Sequence, residues 1–219
     1  MQQTLNHNKA SLPYKNLRGP AKFISYLFHP TFMPTAMALL VMYLCRAQFA
    51  AVEKLSRMQW IGNVALNTIV FPVITVLLLK SLGFINSIHL RDKKERIIPL
   101  MATMIFYFWT YWIFKNIDAP LALRVLLLGA FWGIILLFLI NIFVKISLHS
   151  AAAGGAVGLM LVLMMISQVN VMIPFLVVLL VAGLIGTARL VLQAHRPIEI
   201  WLGYGLGIVV QLLAYAYLY

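Results

Sequence analysis

An arginine, a histidine and a carboxylate lie close together between two long apolar runs, as Arg189, His195 and Glu199. Charged groups are costly near hydrocarbon, and the chain has only five Asp and Glu residues, so a carboxylate at this place suggests a function. A histidine nitrogen can attack phosphorus, a carboxylate can fix the histidine tautomer, and a guanidinium suits phosphate oxygens. The spacing indicates chemistry on a phosphate at a membrane surface.

The composition is that of a protein that crosses a membrane several times. Of 219 residues, 63% are hydrophobic and 10% are charged, and the mean hydropathy is +0.95. This length holds about six or seven spans of roughly 20 residues. The net charge of +12 has no exposed basic domain to carry it. We therefore expect membrane lipids and a phosphorylated lipid substrate as partners, and no nucleic acid.

The apolar runs predict an all-α, polytopic transmembrane helix bundle of about six to seven spans. A polar, basic tail over 1–21 precedes a single transmembrane domain over 22–219. The apolar segment from Lys22 to Cys45 is interrupted by Pro30 and Pro34, so its span is expected to start near Phe32. The predicted spans cover about 32–45, 60–82, 98–114, 120–146, 149–166, 171–189 and 197–218.

Glycines four residues apart predict close contacts between some of these helices, because small residues let backbones approach. These pairs are Gly129 and Gly133, Gly154 and Gly158, and Gly203 and Gly207.

Counting spans places three polar connections on one side of the membrane, those after the second, fourth and sixth spans. Their polar residues are the run 91–96, the group Lys145, Ser147 and His149, and the group Arg189, His195 and Glu199. Three distant segments thus meet on one face, as an active site requires.

The motifs resemble those of the type 2 phosphatidic acid phosphatase family, which belongs to the lipid phosphate phosphatase and vanadium haloperoxidase-like superfamily. The third signature of that family is an arginine, five residues, a histidine, three residues and an acid, matched by Arg189, His195 and Glu199. Its Ser-x-His signature, one span earlier, is matched by Ser147 and His149.

The first signature of the family is a basic run that ends in Arg-Pro, and the stretch 93–99 lies at the corresponding place. The resemblance covers about 60–219, the expected phosphatase-like core, and describes a divergent member. Ala188 stands where the family has serine, Glu199 where it has aspartate, and Pro99 follows Arg96 by three positions.

The resemblance implies a role for each polar residue. His195 would be the nucleophile, Glu199 would hold its other nitrogen, and His149 would protonate the leaving oxygen. The residues expected to bind the phosphate are Arg189, Arg96, Ser147, Lys93 and Lys145. No cofactor and no metal are expected, since acids are scarce.

Some of these residues also fit simpler interpretations. Lys93 and Lys145 suit snorkelling to the interface, and Glu199 suits the first turn of a helix. His29, next to Pro30, is expected to be structural.

The implied function is that of an integral-membrane lipid phosphate phosphatase working through a phosphohistidine. Phosphatidic acid, phosphatidylglycerophosphate, a polyprenyl diphosphate and a phosphorylated lipid A remain open as substrates. The alternative is a catalytically inactive lipid-binding or scaffold protein of the same fold. The expected location is a bacterial inner membrane.

Overall fold

The computed structural model describes residues 15–87 and 94–219. Of these, 82% are helical and none forms a strand, so the prediction of an all-α bundle is confirmed. The α-helices are α1 Arg18–Leu27, α2 Met33–Leu44, α3 Lys54–Ala65, α4 Phe71–Ser81, α5 Ile97–Asn116, α6 Leu121–Phe143, α7 Leu148–Ile166, α8 Met172–Val191 and α9 Pro197–Leu218. A π-helical turn, Leu66–Val70, joins α3 to α4.

Six helices in the described part of the chain are long and apolar enough to cross a membrane. They are the continuous helix Lys54–Ser81 and the helices α5 to α9. Their bounds agree with the predicted second to seventh spans to within a few residues, except that Lys54–Ser81 starts about six residues earlier. Such a set of apolar helices makes this a multi-pass membrane protein.

The predicted first span differs from the other six. Helix α2 has 12 residues, about 18 Å of helix against roughly 30 Å of hydrocarbon. A turn at Pro30 limits it on one side, and the chain leaves α-helical geometry at Cys45 on the other. Its Thr35 hydroxyl hydrogen-bonds to that of Thr68, near the middle of Lys54–Ser81, at 2.9 Å. Helix α2 is therefore a half-length helix beside a full-length one.

Helices α7 and α9 form the closest pair in the bundle. Gly154 and Gly158 of α7 face the backbone of α9, and Gly203 and Gly207 of α9 face the backbone of α7. A Cβ atom at Gly203 would lie 2.9 Å from the carbonyl oxygen of Ser147. The predicted close contacts are confirmed for these two pairs, because the two backbones leave no room for side chains. In the third pair, a Cβ atom at Gly133 would lie 3.5 Å from Val210, an ordinary contact distance.

The turn between α8 and α9 is built by local hydrogen bonds. The N–H of Ala194 donates to the carbonyl of Arg189 at 3.1 Å, and that of Gln193 to Leu190 at 2.9 Å. Gln193 takes the left-handed conformation that this type of helix end requires, with φ of 52°. Pro197 then starts α9, where its missing N–H costs nothing. The turn fixes His195 between two helix ends.

Substituting Gly207 by alanine is expected to destabilise the protein, because the new Cβ would collide with backbone atoms of Ala151 and Gly155. Overpacking of this kind costs about 1–3 kcal/mol. The measurement is the thermal unfolding midpoint, Tm, of the purified protein in detergent, which is expected to fall.

The matched control is Gly205→Ala, two residues away on α9, where a Cβ would meet nothing within 4 Å. Alanine in an open helical position stabilises by about 0.5–1 kcal/mol, so this Tm should stay or rise. Equal Tm values for the two variants would contradict the close packing of α7 on α9.

Candidate functional site

The polar residues singled out in the sequence meet at one end of the bundle. The backbone N–H of Ser147, before α7, donates to the carbonyl of Glu199 in α9 at 3.2 Å. The Lys145 ammonium donates to the carbonyl of Ala194 at 3.2 Å. Arg96, before α5, is close enough to Glu199 for an electrostatic interaction. The three connections predicted to share one face therefore come together.

His195 and Glu199 form a hydrogen-bonded pair. His195 Nδ1 lies 2.7 Å from a carboxylate oxygen of Glu199, one helical turn further on. Their side chains are 4% and 13% exposed. A carboxylate accepts hydrogen bonds, so Nδ1 carries the proton in the neutral ring and Nε2 keeps a free lone pair.

The pKa of His195 lies below its ordinary value of 6.5. Burial is the largest cause, because it disfavours the charged ring. The hydrogen bond to Glu199 acts in the opposite direction, and the charge of Arg189 lowers the pKa further. Burial and the charges of Arg189 and Lys145 all lower this pKa, and each of them therefore favours the neutral ring at physiological pH.

His149, in the first turn of α7, is held by a different type of acceptor. Its Nε2 lies 3.1 Å from the backbone carbonyl oxygen of Ser25 in α1. The ring of His29 packs edge-on against it, with 5.4 Å between centroids. Since a carbonyl only accepts, Nε2 carries a proton and Nδ1 is the nitrogen left for other partners.

Positive charge exceeds negative charge among the groups that meet here. Arg96 is 8% exposed, and its guanidinium repels that of Arg189. Lys145 adds a third cation, against one carboxylate from Glu199, an excess of two charges among these four groups. The buried Nε of Arg189 makes no hydrogen bond within the described part of the chain. A partly buried excess of this kind suits a dianionic ligand.

Ser147 has a structural role. Its side chain is fully buried and accepts a hydrogen bond from the Ser150 N–H at 3.3 Å, which caps the start of α7. Its expected part in phosphate binding stays a prediction. Lys93 lies outside the described residues.

Ser25 and His29 lie at the site although the sequence did not single them out for it. Ser25 contacts His149 and also Arg189, whose Nη1 donates to the serine hydroxyl at 3.3 Å. His29, expected to be structural, hydrogen-bonds Thr31 through Nδ1 at 2.9 Å. For His29 the only sequence signal was its place next to Pro30, and Ser25 carried no signal.

The arrangement can present an unprotonated imidazole nitrogen next to two guanidinium groups and a second histidine. Among the described residues, no three His, Cys, Asp or Glu side chains are grouped so that they could hold a metal ion.

No family model, curated protein or solved structure matches this chain.

Replacing Glu199 by glutamine is expected to lower the pKa of His195 further, because an amide does not favour the imidazolium as a carboxylate does. In the folded native protein this histidine binds its proton at a pH below 6.5, whereas in the unfolded chain it binds the proton near pH 6.5. It therefore reduces stability as the pH falls from 6.5 to its folded pKa, and has no such effect above 6.5. In the variant this range extends to lower pH. The measurement is an NMR titration of ¹⁵N-labelled histidine in detergent micelles.

The matched control is Glu53→Gln, an exposed carboxylate immediately before α3. It should leave the titration of His195 unchanged. A higher pKa of His195 in Glu199→Gln would contradict the hydrogen-bonded pair.

Proposed function

We propose that this protein is an integral-membrane lipid phosphate phosphatase that hydrolyses a phosphomonoester or diphosphate headgroup through a phosphohistidine intermediate. The observation that carries the proposal is the 2.7 Å pair of His195 and Glu199. Its resemblance to the third signature of the type 2 phosphatidic acid phosphatase family supports the same function.

In the first step, His195 Nε2 attacks phosphorus. An N–P bond forms while the bond from phosphorus to the lipid oxygen breaks. The ring gains positive charge as its lone pair is shared, and Glu199 at Nδ1 stabilises that charge. The hydrogen bond to the carboxylate keeps the ring in the tautomer that the attack needs.

The leaving oxygen needs a proton, and His149 is placed to supply it. With Nε2 bonded to Ser25, the imidazolium form of His149 donates from Nδ1. In the second step the now neutral Nδ1 takes a proton from water. That water attacks phosphorus, the N–P bond breaks, and His195 is restored.

The cations supply electrostatic stabilisation. A transferring phosphoryl group spreads negative charge over its equatorial oxygens, for which planar guanidinium groups are well suited. Arg189 lies in α8 and Arg96 immediately before α5, and the two repel each other. An anion bound between them would relieve that repulsion. Lys145 contributes a point charge beside His195.

The position of the site favours a lipid over a free metabolite. It lies at one end of apolar helices, next to α1, whose outer side exposes Phe23 and Tyr26 together with Lys22. A helix with apolar and basic residues of this kind lies in a membrane interface. A lipid would place its phosphate at the site and its tails in the bilayer, and the bacterial inner membrane is the location that we propose.

The purified protein is expected to release phosphate from at least one lipid of a panel of phosphatidic acid, phosphatidylglycerophosphate, a polyprenyl diphosphate and a phosphorylated lipid A. His195→Ala should reduce the rate by about 10³-fold or more, because it removes the nucleophile. The measurement is the initial rate of phosphate release in mixed micelles, with Tm showing that the variant is folded.

The assay is run in excess EDTA, in which the proposed mechanism keeps its rate. Complete loss of activity in EDTA, restored by magnesium, would contradict it. Lipid binding without phosphate release from any lipid would favour the inactive lipid-binding alternative. A His195→Ala variant as active as the native protein would remove the histidine from its role.

A further inference from the structure

One residue of α1 contacts two groups of the site. Ser25 is buried, with 7% of its surface exposed. Its backbone carbonyl accepts from His149 Nε2 at 3.1 Å, and its hydroxyl accepts from Arg189 Nη1 at 3.3 Å. These partners are 124 and 164 residues away in sequence. Ser25 therefore connects α7 and α8 at the site, through its backbone carbonyl and its hydroxyl.

The bond from the hydroxyl determines which edge of the Arg189 guanidinium remains available. With Nη1 held by Ser25, the edge formed by Nε and Nη2 is left, and this is one of the two edges that bind two phosphate oxygens together. Nε has no acceptor in the described part of the chain. An arginine side chain loses considerable rotamer freedom when it binds a ligand, and a residue that already holds one nitrogen reduces that cost.

The bond from the carbonyl determines which nitrogen of His149 remains available. It leaves Nδ1, whereas the Glu199 carboxylate leaves Nε2 of His195. The two histidines of the site therefore hold opposite tautomers in their neutral forms, each fixed by its own acceptor. Without an acceptor at Nε2, the His149 ring would be free to turn and present either nitrogen.

Helix α1 is itself anchored, which makes Ser25 a fixed point. Ala21 is buried one turn before Ser25 on the same face. Ile24 and Phe28 pack against a cluster formed by α7 and α8, with members Ala153, Val157, Ala182 and Ile185. The contacts to His149 and Arg189 therefore come from a packed helix rather than a loose segment.

We propose that Ser25 is a positioning residue of the site, which orients Arg189 through its hydroxyl and fixes the tautomer of His149 through its carbonyl. The site is then incomplete without α1, although the family-like motifs lie in 60–219. The proposal rests on the proposed function for the roles of His149 and Arg189. Whether Ser25 holds these two side chains in place can be tested without turnover.

The hydroxyl is tested by comparing Ser25→Ala with Ser25→Thr, which restores it. The probe is orthovanadate, whose affinity is measured by calorimetry, together with KM and kcat for phosphatidic acid. Ser25→Ala is expected to weaken orthovanadate binding and raise KM by about fivefold, with kcat changed less, and Ser25→Thr should recover most of both.

The matched control is Thr187→Ala, on α8 two residues before Arg189. Thr187 is exposed, and among the described residues its hydroxyl donates only to the carbonyl of Gly183 in its own helix. Ser25→Ala and Thr187→Ala variants with the same orthovanadate affinity would overturn the role of the hydroxyl.

The carbonyl is tested on the native protein by ¹⁵N NMR of labelled histidine, with His149→Gln and His195→Gln assigning the signals. We expect a proton on Nε2 of His149 that exchanges slowly with water, and a proton on Nδ1 of His195. A neutral His149 ring that carries its proton on Nδ1 instead of Nε2, or that averages between both tautomers, would overturn the role of the carbonyl.

The two proposals fail in different ways. The proposed function is contradicted if the native protein releases no phosphate from any lipid of the panel, phosphatidic acid included, and binds no orthovanadate. In that case the histidine spectrum still decides whether Ser25 positions His149. If Ser25→Ala does not fold, the Ser25→Thr variant and the native spectrum decide the proposal.

Discussion

The close approach of α7 and α9 is the constraint on which the site depends. Glycines on both helices remove the side chains that would hold the backbones apart. The approach lets the N–H of Ser147, immediately before α7, donate to the carbonyl of Glu199, in the first turn of α9, at 3.2 Å. The two histidines stand next to this contact, one in α7 and one just before α9. Small residues in the apolar part of the bundle thus determine the distance between polar groups at its end.

The positive charge at this end of the bundle works against stability. Cations held close together and partly away from water are costly, and Arg96 and Arg189 repel each other. In the proposed function, a dianionic phosphate would remove that cost on binding, so the arrangement that reduces stability would also favour an anionic ligand. The hydrogen bonds of Arg189 to Ser25 and of His195 to Glu199 keep these side chains ordered.

The sequence predicted the parts that depend on local pattern. Long apolar runs gave the six long helices, and the spacing of Arg189, His195 and Glu199 matched a helix end, a turn and a helix start. The short α2 also follows from the sequence, because Pro30 precedes it and the polar residues Arg46 and Gln48 follow the apolar run that ends at Cys45. The contacts of Ser25 join residues more than a hundred positions apart, and a serine in an interfacial helix carries no signal for such a contact. The cap formed by Ser147 is different, since a serine before an apolar helix is a recognisable start.

The central claim is that phosphate passes through His195. It is tested by mixing the protein with phosphatidic acid labelled with ³²P in its headgroup, quenching within one turnover, and locating the label on the protein. The account predicts a transient label that is stable in alkali and lost in acid, as an N–P bond is, and that is absent from His195→Ala. Phosphate release with a label on a hydroxyl group, or with undiminished labelling of His195→Ala, would contradict it.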